Sequence, residues 1–315
     1  MTTRATSGAP QRMAHSRRVA APAEVLYDLV ADVGRWPVLF GPTLHVDVLE
    51  RSPADERFRL WAMVGGEAKC WTSRRSLDPE GRHIGFEQER SQAPIASMGG
   101  AWSFRSMPDG TTEVVLDHHF TAVGDDPGTL QRLGEAVDRN SEEELRALER
   151  LAVLGPSPDE LVLAFEDVVP LPLAPADVYA FVHDADRWPE RLPHVGRVEL
   201  REPQSDVQDM EMDTVTADGD RHTTRSIRVC FPHERIVYKQ LVPPALLLGH
   251  SGAWTFAPGP DGGALVTARH MVAVDPAKVE AVLGAGRTLA DARAHLRDVL
   301  GANSRATLAH AGRAS

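Results

Sequence analysis

The chain writes one passage twice. Residues 99–104 read GGAWSF and residues 251–256 read SGAWTF, 251 − 99 = 152 positions apart. The echo extends further: APAEV at 21–25 returns as APADV at 174–178, GRWP at 34–37 as DRWP at 186–189, and HFTAV at 119–123 as HMVAV at 270–274. RNSEEELRALE at 139–149 is echoed by ANSRATLAHA at 302–311, with its Asn-Ser pair kept. A solenoid unit runs to only ~20–50 residues, so each copy is expected to be a whole domain with its own core. The 315 residues then divide into a first domain over 1–152, a linker carrying Gly and Pro over 153–160, and a second domain over 161–315. Duplication tends to preserve an interface that once joined two subunits, so the copies are expected to pack as a pseudo-dimer.

Within a copy, a strand-like run comes first. Pro22 then opens a short helix with Val25, Leu26, Leu29 and Val30 at helical spacing. Several runs of strand length follow, bounded by turn signals such as VGGE at 64–67 and DPEG at 78–81. A long helical pattern with Leu130, Leu133, Val137, Leu145 and Leu148 closes the copy. One long helix after about seven strands can bury its apolar stripe only across a curved sheet. The expected fold class is therefore α+β, a tandem of curved antiparallel sheets each wrapped on a long C-terminal helix, with a pocket where sheet and helix part.

A hydrophobic fraction of 42% with 25% charged residues is that of an ordinary globular protein. No stretch approaches the ~20 apolar residues of a membrane span, and the first residues lack the apolar run of a signal peptide, so a cytoplasmic location is expected. A net charge of −11 argues against nucleic acid and anionic membrane as partners. Cys70 and Cys230 fall in different copies without metal-ligand spacing and read as buried free thiols. Gly-rich phosphate loops, HExxH, CxxC, GxSxG and EF-hand patterns are all missing from the sequence, so neither a metal nor a cofactor is expected.

Polar residues on faces that should be buried mark the candidate site. In CWTSRRSL at 70–77, strand alternation puts Trp71, Ser73 and Arg75 on one face. The tryptophan draws that face inward and would carry Arg75 beneath the helix; a solvated edge arginine is the competing reading. The equivalent strand places Thr224, Ser226 and Arg228 together, with Ile227 and Val229 on the opposite face, which weakens the case for Arg228. Asn140 and Asn303 fall at helical spacing from Leu133 and Val137, and from Leu296 and Leu300, so each amide either fixes helix docking or orients a ligand carbonyl. His119 and His270 take matching places in the penultimate element, where a histidine is either structural or moves protons.

Taken in order, these residues resemble the aromatase/cyclases of bacterial type II polyketide synthases, START-like proteins with the helix-grip fold. The resemblance spans nearly the whole chain as a tandem. In the first copy it is carried by RWPVLF at 35–40, by Trp71, Ser73 and Arg75 as W-x-S-x-R, by Met98 and Trp102 as M-x-x-x-W, and by Asn140. The second copy keeps Trp188, Ser226, Arg228, Trp254 and Asn303 but has Thr224 for the strand tryptophan and His250 for the methionine. Single-domain members carry an aromatic residue shortly after the WP helix, where this chain has Thr43 and Val195.

The resemblance implies an enzyme that folds a ketoreduced poly-β-ketone held on an acyl carrier protein, among the other synthase components, and closes or dehydrates its first aromatic ring. It assigns substrate contacts to Trp36, Phe40, Trp71, Met98, Trp102, Asn140, Trp188, Ser226, His250, Trp254 and Asn303. An aldol closure needs an enolate stabilised and protons moved, which gives catalytic roles to Arg75, Ser73, His119, Arg228 and His270. Arg75 is the expected principal group, since the first copy keeps the full motif. Acyl carrier proteins are acidic as a class, and Arg187, Arg191, Arg197 and Arg201 are the expected docking patch. Two other readings compete: a passive carrier of a hydrophobic molecule, which needs few deep polar groups, and an interaction module, which needs an exposed apolar patch and no cavity.

Overall fold

A computed structural model describes residues 9–215, 221–259 and 261–312. The chain divides into two units, Met1–Gly155 and Pro156–Ser315. The first contains β1 (Gln11–Val19), α1 (Ala23–Ala31), α2 (Trp36–Leu39), β2 (Thr43–Arg51), β3 (Asp55–Val64), β4 (Glu67–Asp78), β5 (His83–Arg90), β6 (Ile95–Ser106), β7 (Thr112–Ala122) and α3 (Pro127–Ala152). The second contains α4 (Pro158–Leu161), β8 (Val162–Leu171), α5 (Pro175–His183), α6 (Trp188–Arg191), β9 (Val195–Gln204), β10 (Val207–Val215), β11 (Arg221–Phe231), β12 (Arg235–Val242), β13 (Leu247–Pro258), β14 (Ala264–Val274), α7 (Val279–Leu283) and α8 (Leu289–Ala311). Each unit holds one seven-stranded antiparallel sheet, in the orders β1-β7-β6-β5-β4-β3-β2 and β8-β14-β13-β12-β11-β10-β9. The α+β tandem expected from the repeat is thus the observed architecture. The segment 153–160 carries the short helix α4, started by a capping box between Ser157 and Glu160.

The long helices begin where the sequence supplies a cap. Asp126 accepts from the Thr129 amide at 2.7 Å ahead of Pro127 in α3, and Thr288 and Asp291 form a capping box on α8. Along α3 the buried stripe runs from Leu133 and Val137 to Leu145 and Leu148. Asn140, Ser141 and Glu144 interrupt it. In α8 the stripe from Leu296 to Leu308 is interrupted by Ser304 and Thr307. A helix stays in close contact with a sheet through apolar side chains, so a polar middle between two apolar ends is where the layers stand apart.

The WP turns wall these gaps. Pro37 and Pro189 set the first turns of α2 and α6, and each adjacent indole N–H is tied back to a carbonyl: Trp36 Nε1 to Val30 O and Trp188 Nε1 to Phe181 O, both at 3.1 Å. Helix α7 lies between β14 and α8, which is why the offset between copies grows from 152 at GGAWSF to 163 at the helical Asn-Ser pair. Among the described residues no helix is long and apolar enough to cross a membrane.

Candidate active site

The two arginines have different partners, and the strand register explains why. Arg75 on β4 stands opposite Glu56 on β3 and donates to it through both Nε, at 3.1 Å, and Nη2. Its remaining donors reach Val30 O at 2.9 Å and Ala31 O at 2.6 Å, where the end of α1 presents unsatisfied carbonyls. Both side chains are 1% exposed. Arg228 on β11 likewise caps α5, donating to Val182 O at 2.6 Å and His183 O at 3.3 Å. Opposite it, however, stands the neutral Gln208. Among the described residues Arg228 has no carboxylate in ion-pair range, although it is 3% exposed and its guanidinium lies 5.5 Å from the centre of the Trp188 ring.

Arg228 lines a cavity of about 150 Å³ between the second sheet and α8. Side chains from β12, β13, β14 and α8 form a hydrogen-bonded chain along its wall. His250 Nδ1 lies 3.0 Å from Gln240 Oε1, His250 Nε2 lies 3.1 Å from His270 Nδ1, and His270 Nε2 lies 2.7 Å from Ser304 Oγ. The Tyr238 hydroxyl is 3.1 Å from His270 Nδ1 and 3.5 Å from His250 Nε2. Burial holds the His250 and His270 pKa values down to about 3 and about 4; the His270 charge adds to the effect at His250, whereas at His270 Asp167 opposes it and Arg297 adds to it, and burial raises the pKa of Tyr238 above the ordinary phenol value. At neutral pH the cavity therefore offers neutral imidazoles, a neutral phenol and a cationic arginine.

The first unit has a smaller cavity of about 90 Å³ under α3. Trp36, Trp71, Met98 and Asn140 line it. Asn140 Nδ2 also donates to Met63 O at 3.2 Å, which fixes α3 against β3. His118 and Glu144 join them. Burial lowers the His118 pKa to about 4 and raises that of Glu144 to about 8, where Glu143 adds to the rise, so both are uncharged at neutral pH.

Several expectations for the first copy meet a different placement. Arg75 is locked behind the Trp36 and Phe58 rings and is absent from the cavity lining. Ser73 is turned toward the β5 backbone, donating to Glu87 O at 3.3 Å. Phe40 supports the edge of Trp36 from 5.8 Å, and Trp102 stacks on Phe104, so both are core residues. His119 points to the other face of the sheet and pairs with Glu87 at 3.0 Å. The residue in register with His270 is His118, since Gly100 pairs with His118 as Gly252 pairs with His270.

In the second copy Trp188, Ser226, Arg228, His250, Trp254, His270 and Asn303 all line one cavity. Asn303 is exposed and so sits at its rim. Thr43 and Val195 line the two cavities. Sequence reasoning missed Tyr238, Gln240, Ser304, His118 and Glu144. The Asn-Ser pairs, kept in both copies, were the one available signal for Ser304. The basic patch is largely cancelled: Arg197 is clamped by Asp213, Glu211 and Glu199, and Arg201 lies 3.9 Å from Glu199.

The chain is similar to known proteins over nearly its whole length. The family described as polyketide cyclase / dehydrase and lipid transport matches residues 19–141 and 171–294. The chain is 57% identical over 314 residues to the actinorhodin polyketide synthase bifunctional cyclase/dehydratase of Streptomyces coelicolor, covering 96% of each. It is 53% identical to the granaticin polyketide synthase bifunctional cyclase/dehydratase of Streptomyces violaceoruber, covering 96% of this chain and 94% of that one. Among solved structures, the di-domain ARO/CYC BexL from the BE-7585A biosynthetic pathway superposes with a TM-score of 0.77 at 47% identity, covering 96% of this chain and 98% of that one. The chain belongs to the polyketide cyclase/dehydrase family, as a tandem of two of its domains.

Proposed function

We propose that this chain is a cyclase/dehydratase of a type II polyketide synthase: it takes a ketoreduced poly-β-ketone from an acyl carrier protein, closes the first ring by an aldol reaction and removes water from it. One observation carries the reading, the buried and uncompensated Arg228 facing a small cavity whose other polar groups are neutral. A β-diketone methylene loses its proton readily once the resulting enolate oxygen is stabilised. A fixed cation in a water-poor site supplies that stabilisation without reorganisation as charge develops. The cavity of about 150 Å³ matches a single six-membered ring, since an apolar cavity of roughly that size holds benzene. The walls of Trp188 and Trp254 would hold the folding chain flat, which turns ring closure into an oriented intramolecular step.

The same polar lining speaks against a passive carrier of a hydrophobic molecule, for which a buried cation at the cavity wall costs desolvation and gains no contact with the cargo. In the first unit, Trp36, Trp71 and Met98 with Asn140 and Glu144 give a narrower, largely apolar slot. For docking of the acidic carrier, Arg187 and Arg191 remain from the expected patch, and Arg191 lies over the Phe181 ring. The reading is tested by reconstituting a minimal synthase and ketoreductase with and without this protein and identifying the products. A shift from shunt products to a correctly closed aromatic first ring is expected, and an unchanged product profile would remove the enzymatic reading.

A further inference from the structure

We propose that Tyr238 is a catalytic acid of the second cavity, delivering the proton that turns the ring hydroxyl into water, and that the Gln240–His250–His270–Ser304 chain sets and renews that proton. The inference rests on the cyclase/dehydratase reading above.

The hydrogen-bond directions follow from one end of the chain. Gln240 Oε1 can only accept, so His250 Nδ1 carries a hydrogen and His250 Nε2 is a bare acceptor. His270 Nδ1 faces that acceptor and must donate, which leaves His270 Nε2 bare to accept from the Ser304 hydroxyl at 2.7 Å. The Tyr238 oxygen, 3.1 Å from His270 Nδ1, shares this same donor as an acceptor. Its own O–H has the His250 Nε2 acceptor only at the long distance of 3.5 Å, and can turn from it to a group in the cavity that Tyr238 and Ser304 both line.

Loss of water from a β-hydroxy ketone ring balances across these groups. The Cα–H bond breaks, its electrons form the C=C bond, and its proton passes to Ser304 Oγ as the serine hydrogen moves to His270 Nε2. The C–O bond breaks and the departing oxygen takes the Tyr238 proton, becoming water. His270 Nδ1–H then restores the phenol. One proton has crossed the imidazole, no net charge is left in the cavity, and the return of His270 to its starting tautomer needs only water after product leaves. A neutral relay suits a dry site, where a free imidazolium or phenolate would be costly. Arg228 meanwhile faces the carbonyl oxygen that becomes enolate as Cα loses its proton.

The chain contains its own control. In both units an aromatic ring on the fourth strand after the WP turn lies over a glycine of the repeated motif: Phe86 over Gly100 and Tyr238 over Gly252. Phe86 meets His118 at 5.4 Å between ring centres, edge to face, as Tyr238 meets His270 at 6.5 Å. The two sheets therefore hold the same ring in the same register, and Tyr238 differs by its hydroxyl and by lining the cavity. Met98, in place of His250, interrupts the first unit's chain at the next position.

Tyr238→Phe in the full-length chain is the test, because Phe86 shows that this register accepts phenylalanine. In the reconstituted synthase the variant should keep its circular dichroism spectrum and still close the ring. It should release the aromatic product about 10²-fold more slowly while the cyclised, still hydroxylated ring accumulates. Ser304→Ala, cutting the other end of the relay, should accumulate the same alcohol. Binding of the aromatic product, read by fluorescence titration, should be unchanged in Tyr238→Phe, which separates a lost proton from a lost fit. Aromatic product formed by Tyr238→Phe at the parent rate overturns the proposal while leaving the enzyme assignment intact. A parent protein that leaves the product profile unaltered overturns both.

Discussion

A buried arginine means different things depending on what stands opposite it. Arg75 and Arg228 occupy equivalent strands and cap the equivalent short helices, α1 and α5, yet Glu56 neutralises the first and Gln208 leaves the second charged toward the cavity. Arg75→Ala would leave the Glu56 carboxylate, 1% exposed, with the half-exposed Arg51 at 3.1 Å as its remaining ion-pair partner, and is expected to cost about 2–3 kcal/mol of stability, below the loss for a buried charge left wholly unpaired. Arg228→Ala strands no carboxylate; its expected loss is in rate, about 10²–10³-fold, with the smaller drop in stability. Denaturant midpoints and product formation for the two variants check this, and an Arg75→Ala protein that is inactive yet as stable as the parent would restore Arg75 to the chemistry. Period-two alternation alone was enough to put Trp71, Ser73 and Arg75 on one inward face. The partner was not legible, because Glu56 lies 19 residues earlier on another strand and only the pairing register brings the two together.

A strand reads correctly or with its faces exchanged, with nothing between. Matching HFTAV to HMVAV aligns His119 with His270 at an offset of 151, whereas sheet register keeps the 152 of GGAWSF and aligns His118. That one-residue slip moved the expected histidine to the far face, where it pairs with Glu87. The repeated hexapeptide held the correct phase, and its second glycine shows the reason it was kept: a Cβ on Gly252 would overlap the Tyr238 ring and crowd the Arg269 carbonyl. Gly252→Ala is therefore expected to destabilise the second unit by roughly 1–3 kcal/mol and to push the tyrosine hydroxyl off His270. A thermal melt together with the aromatisation assay on this variant tests the point, and an alanine tolerated with full activity would mean the ring does not lie where described. Helix positions were easier to read, since a polar residue within an apolar stripe can be seen from spacing alone. Asn303 is the exception, turned out to the cavity rim while Ser304 beside it takes the buried place.

At the scale of the whole chain, duplication has left two cavities with unequal responses to acid. In the second unit His250 and His270 are held neutral with pKa values near 3 and 4, and burial lowers that of His194 as well. The unfolded chain takes up protons near pH 6.5 while the folded unit does not, so stability present above that pH is lost as pH falls toward 4. His250 and His270 each give up roughly 2 kcal/mol between pH 7 and pH 5, and the relay pair together about 4. Tyr238 and Arg228 face the pair, with Asp167 and Arg297 acting on His270 from outside, and none of them changes charge in this window. In the first unit His118 follows the same rule, but Glu144, pushed up to about 8, runs the other way. Its folded form is already protonated at pH 7 while its unfolded form ionises down to about pH 4.3, so acidification favours the fold and roughly offsets the histidine. Hydrogen exchange by peptide mass spectrometry on the full chain, corrected for intrinsic rates, should show β13, β14 and α8 losing protection at pH 5 while β6, β7 and α3 keep theirs. Equal loss in both units, or earlier loss in the first, would mean that the relay histidines are not neutral in the fold, and the proton path drawn through them would fall with that result.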